Sequence, residues 1–178
     1  MWHPRTSMLA AVLAFMGSGC TSLSDLPTER LGEARLSFAN GLPAGTVQLL
    51  GAGNSLTLAV GLTGVDPGEH GFHLHTTGAC AAPDFKSAGG HLNPQNASHG
   101  RLSDGGQHFG DLPNIVVGAS GTATATFDLQ GPNRERMLDW LFDEDGTAIV
   151  LHAGPDDYRS DPAGDAGPRV ACGALKRS

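Results

Sequence analysis

Seven of the eight histidines lie between positions 70 and 152, and any fold of this chain has to account for where they fall. Three sit in Gly68-Glu69-His70-Gly71-Phe72-His73-Leu74-His75, and the others are His91, His99, His108 and His152, with Asp111 close behind His108. Histidine is the commonest metal ligand. With two lysines and one tyrosine, the chain offers few other reactive groups. The pattern reads as a built metal site, large enough for two ions.

His73 and His75 are separated by one residue. On a strand such residues share a face about 6–7 Å apart, so both rings can converge on one ion while Phe72 and Leu74 face a core. His152 ends the apolar run Ala148-Ile149-Val150-Leu151, which brings it from a distant part of a sheet. His70 is in phase with neither neighbour, and a packing or hydrogen-bonding role is expected for it. His91, His99, His108 and Asp111 follow one another through a glycine-rich stretch. Three imidazoles and one carboxylate make a closed tetrahedral set suited to zinc. A zinc hydrolase is a competing reading, since three-histidine sites with an open water position catalyse hydrolysis. Against it, no glutamate stands beside the ligands in a His-Glu-x-x-His arrangement to act as general base.

A chain of 178 residues suits one domain with a real core. Its 26 glycines, 11 prolines and low charged content of 16% favour many turns and a β-rich fold over a helical bundle. Alternation predicts strands at Ala34–Ala39, Thr46–Leu50, Ser55–Leu62, Glu69–His75, Gly121–Asp128 and Thr147–His152. Thr76–Asn114 and Ala153–Pro168 read as long loops, which within a compact domain are usually functional. Glu135–Phe142 fits a short helix or an extended connection, and the apolar cluster around Trp140 fits either core or a subunit interface. The formal net charge of −7 argues against nucleic acid as a partner.

The N-terminus reads as an export signal at residues 1–19: Arg5, an apolar run from Met8 to Met16, then Gly17-Ser18-Gly19. That run is far short of the roughly 20 residues of a spanning helix. Met16-Gly17-Ser18-Gly19-Cys20 resembles a bacterial lipobox, with Gly17 where leucine is usual, so Cys20 is the expected lipidation site and possible membrane anchor. Residues 20–32 are expected to be a tether and 33–178 the folded domain. Export implies the periplasm or cell envelope.

Four segments carry a resemblance to a known family: Gly-Glu-His-Gly-Phe-His-Leu-His, Gly-Gly-His-Leu-Asn-Pro, His-Phe-Gly-Asp-Leu-Pro-Asn and Gly-Pro-Arg-Val-Ala-Cys-Gly. Together, over about Arg35 to Leu175, they resemble the exported bacterial copper/zinc superoxide dismutases. The resemblance implies an all-β, eight-stranded antiparallel Greek-key sandwich or barrel of immunoglobulin-like architecture. It implies that His73, His75, His91 and His152 bind copper, cycling between Cu(II) and Cu(I). His91 would bridge to Zn(II), whose other ligands are His99, His108 and Asp111. Asp156 would link a copper ligand to a zinc ligand, Arg169 would receive the substrate anion, and Cys80 and Cys172 would form a disulfide. Four imidazoles suit a roughly square Cu(II) site, and a carboxylate accepting from two ligand rings fixes their tautomers.

The activity implied is dismutation of superoxide to O2 and hydrogen peroxide, protecting the cell envelope. Arg169 and His91 are the catalytic residues, His91 releasing Cu(I) and taking a proton in the family's usual scheme. The alternative is a non-catalytic copper/zinc-binding module of the same fold. Inactive relatives usually lack a copper histidine or the arginine, and this chain keeps them all. Loss of Arg5 with the leader takes the charge from −7 to about −8, so an anionic substrate needs a local positive field. Beyond Arg169, Lys86 and Arg101 are the candidates for it. Both monomer and homodimer stay open.

Overall fold

Strict alternation of buried and exposed positions builds the first half of the molecule. The computed structural model describes residues 28–178. Strands β1 (Glu29–Phe38), β2 (Pro43–Ala52) and β3 (Ser55–Thr63) form an antiparallel meander. Their inward residues, such as Leu36, Val47, Leu49 and Leu58, are buried, and cross-strand pairs such as Val47 with Val60 and Leu49 with Leu58 fill one face. β1 begins at Glu29, so residues 29–32, expected in the tether, belong to the sheet; register with Leu49–Gly51 of β2 extends it that far. The export signal, Cys20 and the rest of the tether lie outside the described residues. No helix among the described residues is long and apolar enough to cross a membrane.

The expected single strand Glu69–His75 is two strands, β4 (Gly68–His70) and β5 (Phe72–His75). At Gly71 the chain changes partner: β4 pairs with β6 (Ile115–Val117) and β5 with β8 (Ala148–His152). A tight turn at Gly118–Thr122 joins β6 to β7 (Thr122–Asp128), which lies beside β3. The eight-stranded sheet runs β5-β8-β9-β1-β2-β3-β7, with β9 (Arg169–Ala174) followed by the short β10 (Lys176–Arg177) on β1. With the paired strands β4 and β6 leading from β7 back to β5, the sheet curls into the expected Greek-key sandwich. β6, β9 and β10 were not legible as strands, being short or interrupted by Cys172 and Gly173.

Glu135–Phe142, open between helix and connection, resolves as helix α1 (Arg134–Leu141). Asn133 caps it, its side chain accepting from the Arg136 N–H. Met137 and Leu141, four residues apart, are buried against the core, and Trp140 packs edge-on to Phe109 with ring centroids 5.0 Å apart. The Trp140 cluster therefore packs on the core.

β5 and β8 are buried on both faces, as a strand pair covered by loops must be. Phe72, Leu74, Ile149 and Leu151 enter the main core, and the other face carries His73, His75 and His152. Beside them Phe85, Ala88, Ala148, Val150 and Cys172 make a second small cluster under the Cys80–Cys172 disulfide. This bond joins residues 92 apart and ties the long first loop to β9. Replacing it by Cys80→Ser with Cys172→Ala is expected to cost about 2–5 kcal/mol of stability, most of it loop-closure entropy. Chemical denaturation of the disulfide-bonded wild type and of the variant checks this.

Candidate metal centre

Strand geometry delivers the first set of rings. His73 stands opposite Val150 and His75 opposite Ala148, so alternation along β8 puts His152 on the same face, diagonal to His73. The His73 and His152 ring centroids are 4.9 Å apart. His91 arrives from the loop, held by a closed ring of three backbone hydrogen bonds. Leu92 N–H donates to Leu74 O (2.8 Å), Leu74 N–H to Gly110 O (3.0 Å) and Gly110 N–H to Leu92 O (2.9 Å). That ring fastens the residues beside His91 and Asp111 onto the strand that carries His73 and His75. A β-carbon at Gly110 would overlap the Leu74 carbonyl oxygen, so only glycine permits the approach.

Two four-residue groups result: His73, His75, His91 and His152, and His91, His99, His108 and Asp111. Within each, one donor atom per residue lies no more than 4.8 Å from the others, near the roughly 4 Å that opposite ligands of a single ion span. Every residue is buried, and His91 belongs to both groups.

The second nitrogen of each ring is already engaged, which decides which nitrogen is free. His73 Nε2–H donates to Asp156 Oδ2 (2.8 Å), His75 Nδ1–H to Gly89 O (3.0 Å) and His152 Nδ1–H to Gly167 O (3.0 Å). Left buried with no partner among the described residues are His73 Nδ1, His75 Nε2, His91 Nε2 and His152 Nε2, the four nitrogens of the first group. In the second, the Nδ1 atoms of His91, His99 and His108 lie 2.8, 3.2 and 3.0 Å from a single oxygen, Asp111 Oδ1. The His99 contact is close without hydrogen-bond alignment, leaving that nitrogen unpartnered as well. Asp111 is aimed by its other oxygen, Oδ2, which accepts from the Gly100 and His108 backbone N–H groups at 2.8 and 2.9 Å.

Asp156 joins the two groups. Its Oδ2 accepts from His73 Nε2–H at 2.8 Å and its Oδ1 from His99 Nε2–H at 3.0 Å. Gly164, at φ +67°, presses against this carboxylate, where any β-carbon would overlap Asp156 Oδ1. His70 stays outside both groups: its ring nitrogens lie 2.8 Å from His152 O and 2.9 Å from Asp66 O, the expected hydrogen-bonding role. Arg169 reaches across the mouth, donating to Phe85 O (2.7 Å) and Gly89 O (2.6 Å). The Gly89 carbonyl thus serves both His75 and Arg169. Desolvation lowers the Arg169 pKa from its usual value, against the opposing pull of Asp84. Lys86 lies in the same depression as Arg169, 3.2 Å from Asp84, whereas Arg101 lies over the Tyr158 ring.

Residues 43–175 match the family described as copper/zinc superoxide dismutase. The chain belongs to that family. Superoxide dismutase [Cu-Zn] 2 of Aquifex aeolicus is 40% identical over 147 residues, 80% of this chain and 85% of the relative. Superoxide dismutase [Cu-Zn] of Caulobacter vibrioides is 41% identical over 149 residues, covering 80% and 84%. A solved structure of a superoxide dismutase-like protein from Bacillus subtilis superposes with a TM-score of 0.75 at 34% identity, covering 81% of this chain and 97% of that one. Membership implies copper and zinc, and the donor chemistry suits both: a four-imidazole set for copper, and three imidazoles with a carboxylate for zinc. In this superoxide dismutase fold the sequence motifs contain His73, His75, His91, His108 and Asp111 of the two groups, while His99 and His152 come from outside them. What they left unseen are the carbonyls of Gly89 and Gly167 and the side chains of Asn114 and Tyr158. Asn114 ends the His-Phe-Gly-Asp-Leu-Pro-Asn motif, and Tyr158 is the single tyrosine.

Burial dominates the protonation of the first group. It pushes His75 down to about 2, helped by the charges of His91 and Arg169, and His152 down to about 4. His91 falls to about 4, with Asp111 opposing the shift, and His73 is lowered too, against Asp156. For His99, burial opposes the charged ring, but the Asp111 carboxylate beside it and the hydrogen bond to Asp156 outweigh it and raise the pKa to about 9. Burial would also raise the two carboxylates, yet their histidine partners hold both well below the ordinary range.

Unfolded, the first-group rings take up protons near 6.5; folded, His91 and His152 do so only near 4. Metal-free protein therefore loses stability as pH falls from about 6.5 to about 4. Its folding equilibrium constant is expected to drop at least about tenfold across that window, the effect of a single one-unit shift. Urea denaturation of chelator-treated protein at the two pH values measures it, and equal stabilities would refute it.

Proposed function

We propose that this chain dismutates superoxide, with His73, His75, His91 and His152 holding copper and His91, His99, His108 and Asp111 holding zinc. The observation that carries this reading is the single His91 ring shared by two buried donor sets, with the first set's four nitrogens all unpartnered. Unpaired buried polar atoms cost about 1–3 kcal/mol each, and ion binding removes that cost. When bound, the copper supplies a one-electron couple and the zinc a fixed positive charge without redox chemistry. Two superoxide anions and two protons become one O2 and one hydrogen peroxide.

The chain's own groups orient and deliver. Asp156 sets the tautomers of His73 and His99, so that Nδ1 of each faces its ion. Gly89 and Gly167 carbonyls do the same for His75 and His152 through their Nδ1–H groups. His91 holds its Nδ1 on the zinc side and its Nε2 toward the copper side, where it can carry a proton. Arg169, pinned by two carbonyls, keeps its charge at the mouth and receives the anion. Lys86 is the second steering cation, partly neutralised by Asp84. The leader at residues 1–19 and acylation at Cys20 are read from sequence, and with them export to the envelope.

Superoxide decay followed after copper and zinc loading tests the activity. His152→Ala should abolish copper-dependent decay while zinc stays bound; decay at the normal rate would refute the copper set. No decay by the wild type with both metals bound would instead identify a non-catalytic module. At low ionic strength Lys86→Gln should slow the reaction several-fold and Asp84→Asn should accelerate it, both effects shrinking with added salt. Stopped-flow decay at two ionic strengths reads them, and a salt-independent change would count against steering.

A further inference from the structure

We propose that Tyr158 is a positioning residue: it fastens Asp156, and through it His73 and His99, and so determines how firmly zinc is retained. This rests on the assignment of the two donor sets given above.

Tyr158 contacts both the Asp156 carboxylate and the residue that clasps the Asp156 backbone. Its backbone N–H donates to Asp156 Oδ1 at 2.6 Å, a third donor to the carboxylate that already accepts from His73 and His99. Its phenol oxygen accepts the Asn114 backbone N–H at 2.8 Å. Asn114 in turn clasps the Asp156 backbone from both sides, accepting from Asp156 N–H at 2.8 Å and donating Nδ2–H to Asp156 O at 3.0 Å. The three residues thus close a ring of hydrogen bonds: Tyr158 holds Asn114, Asn114 holds the Asp156 backbone, and Tyr158 holds its carboxylate.

The same residue also holds the zinc loop. Its carbonyl accepts Leu102 N–H at 3.1 Å, and the Arg101 guanidinium lies 4.2 Å from its ring centroid. Arg101 and Leu102 come directly after His99 and Gly100, while Asn114 is three residues past Asp111. One aromatic side chain therefore couples the segments bearing two zinc ligands to the loop bearing Asp156. Tyr158 adopts φ +62°, a region that residues with a β-carbon seldom enter, so its contacts and not local preference hold it there.

Tyr158→Phe removes only the phenol oxygen. Groups that touch a ligand directly change metal affinity about 10–100-fold. Acting one contact further out, Tyr158→Phe is expected to speed zinc transfer from the loaded protein to excess chelator about three- to tenfold. Cobalt(II) placed in the zinc set should show shifted d–d bands, a signature that a stability change alone would not move. Asn114→Ala gives a second route to the same clasp, and the double variant should lose zinc no faster than the faster single variant. Wild-type zinc release and an unchanged cobalt spectrum in Tyr158→Phe would overturn the proposal, as would fully additive effects in the double variant. Absence of a tetrahedral cobalt spectrum in the wild type would overturn the donor assignment as well, a distinguishable result.

Discussion

Desolvated imidazoles are the arrangement on which the rest of this structure depends. Five ring nitrogens are buried within the two donor sets with nothing to bond to, and a protein interior tolerates that only where something else meets them. The neighbouring groups ensure that it is these nitrogens, and not their ring partners, that are left free. Carbonyls of Gly89 and Gly167 and the Asp156 carboxylate consume the opposite N–H of His75, His152, His73 and His99. The tautomer of each ring is thereby set before any ion arrives, and ion binding and folding are coupled.

That arrangement, together with Leu92, Phe109 and Leu112 of the first loop buried in the main core, explains why the two long loops are ordered. The first is held by the disulfide, by the small cluster around Phe85 and Val150, and by the backbone ring joining Leu74, Leu92 and Gly110. The second is held chiefly through Asp156 and its partners. Polar networks of this kind are specific because a half-satisfied network costs more than an apolar contact. The curled sheet beneath supplies the stiffness: β5 and β8 are buried on both faces, and their core sides carry Phe72, Leu74, Ile149 and Leu151.

A negative chain that handles an anion must separate its global charge from its local field. The −7 formal charge acts at distances that physiological salt screens beyond about 8 Å. Within that range the mouth presents Arg169, with Lys86 and Asp84 beside it. Arg101, equally available in sequence terms, is committed to the Tyr158 ring instead.

Much of the site was legible because its ligands obey short-range rules. His73-x-His75 on one strand face follows from a two-residue period, and the four motifs contain every residue of the second donor set but His99, which lies in the same glycine-rich loop. The meander β1–β3 and strand β7 follow from alternation. What alternation could not reveal is the partner change at Gly71, because β4 and β5 share one continuous pattern while pairing with different strands. Nor could it show β9, whose Cys172 and Gly173 lack strand-forming side chains, or choose helix for Arg134–Leu141, where burial of Met137 and Leu141 decides. Sequence determined the donor types and their local phase. Tertiary structure alone decided which nitrogen of each ring faces an ion, because that depends on carbonyls and side chains brought from as far away as Tyr158 and Gly167 by packing, not by spacing along the chain.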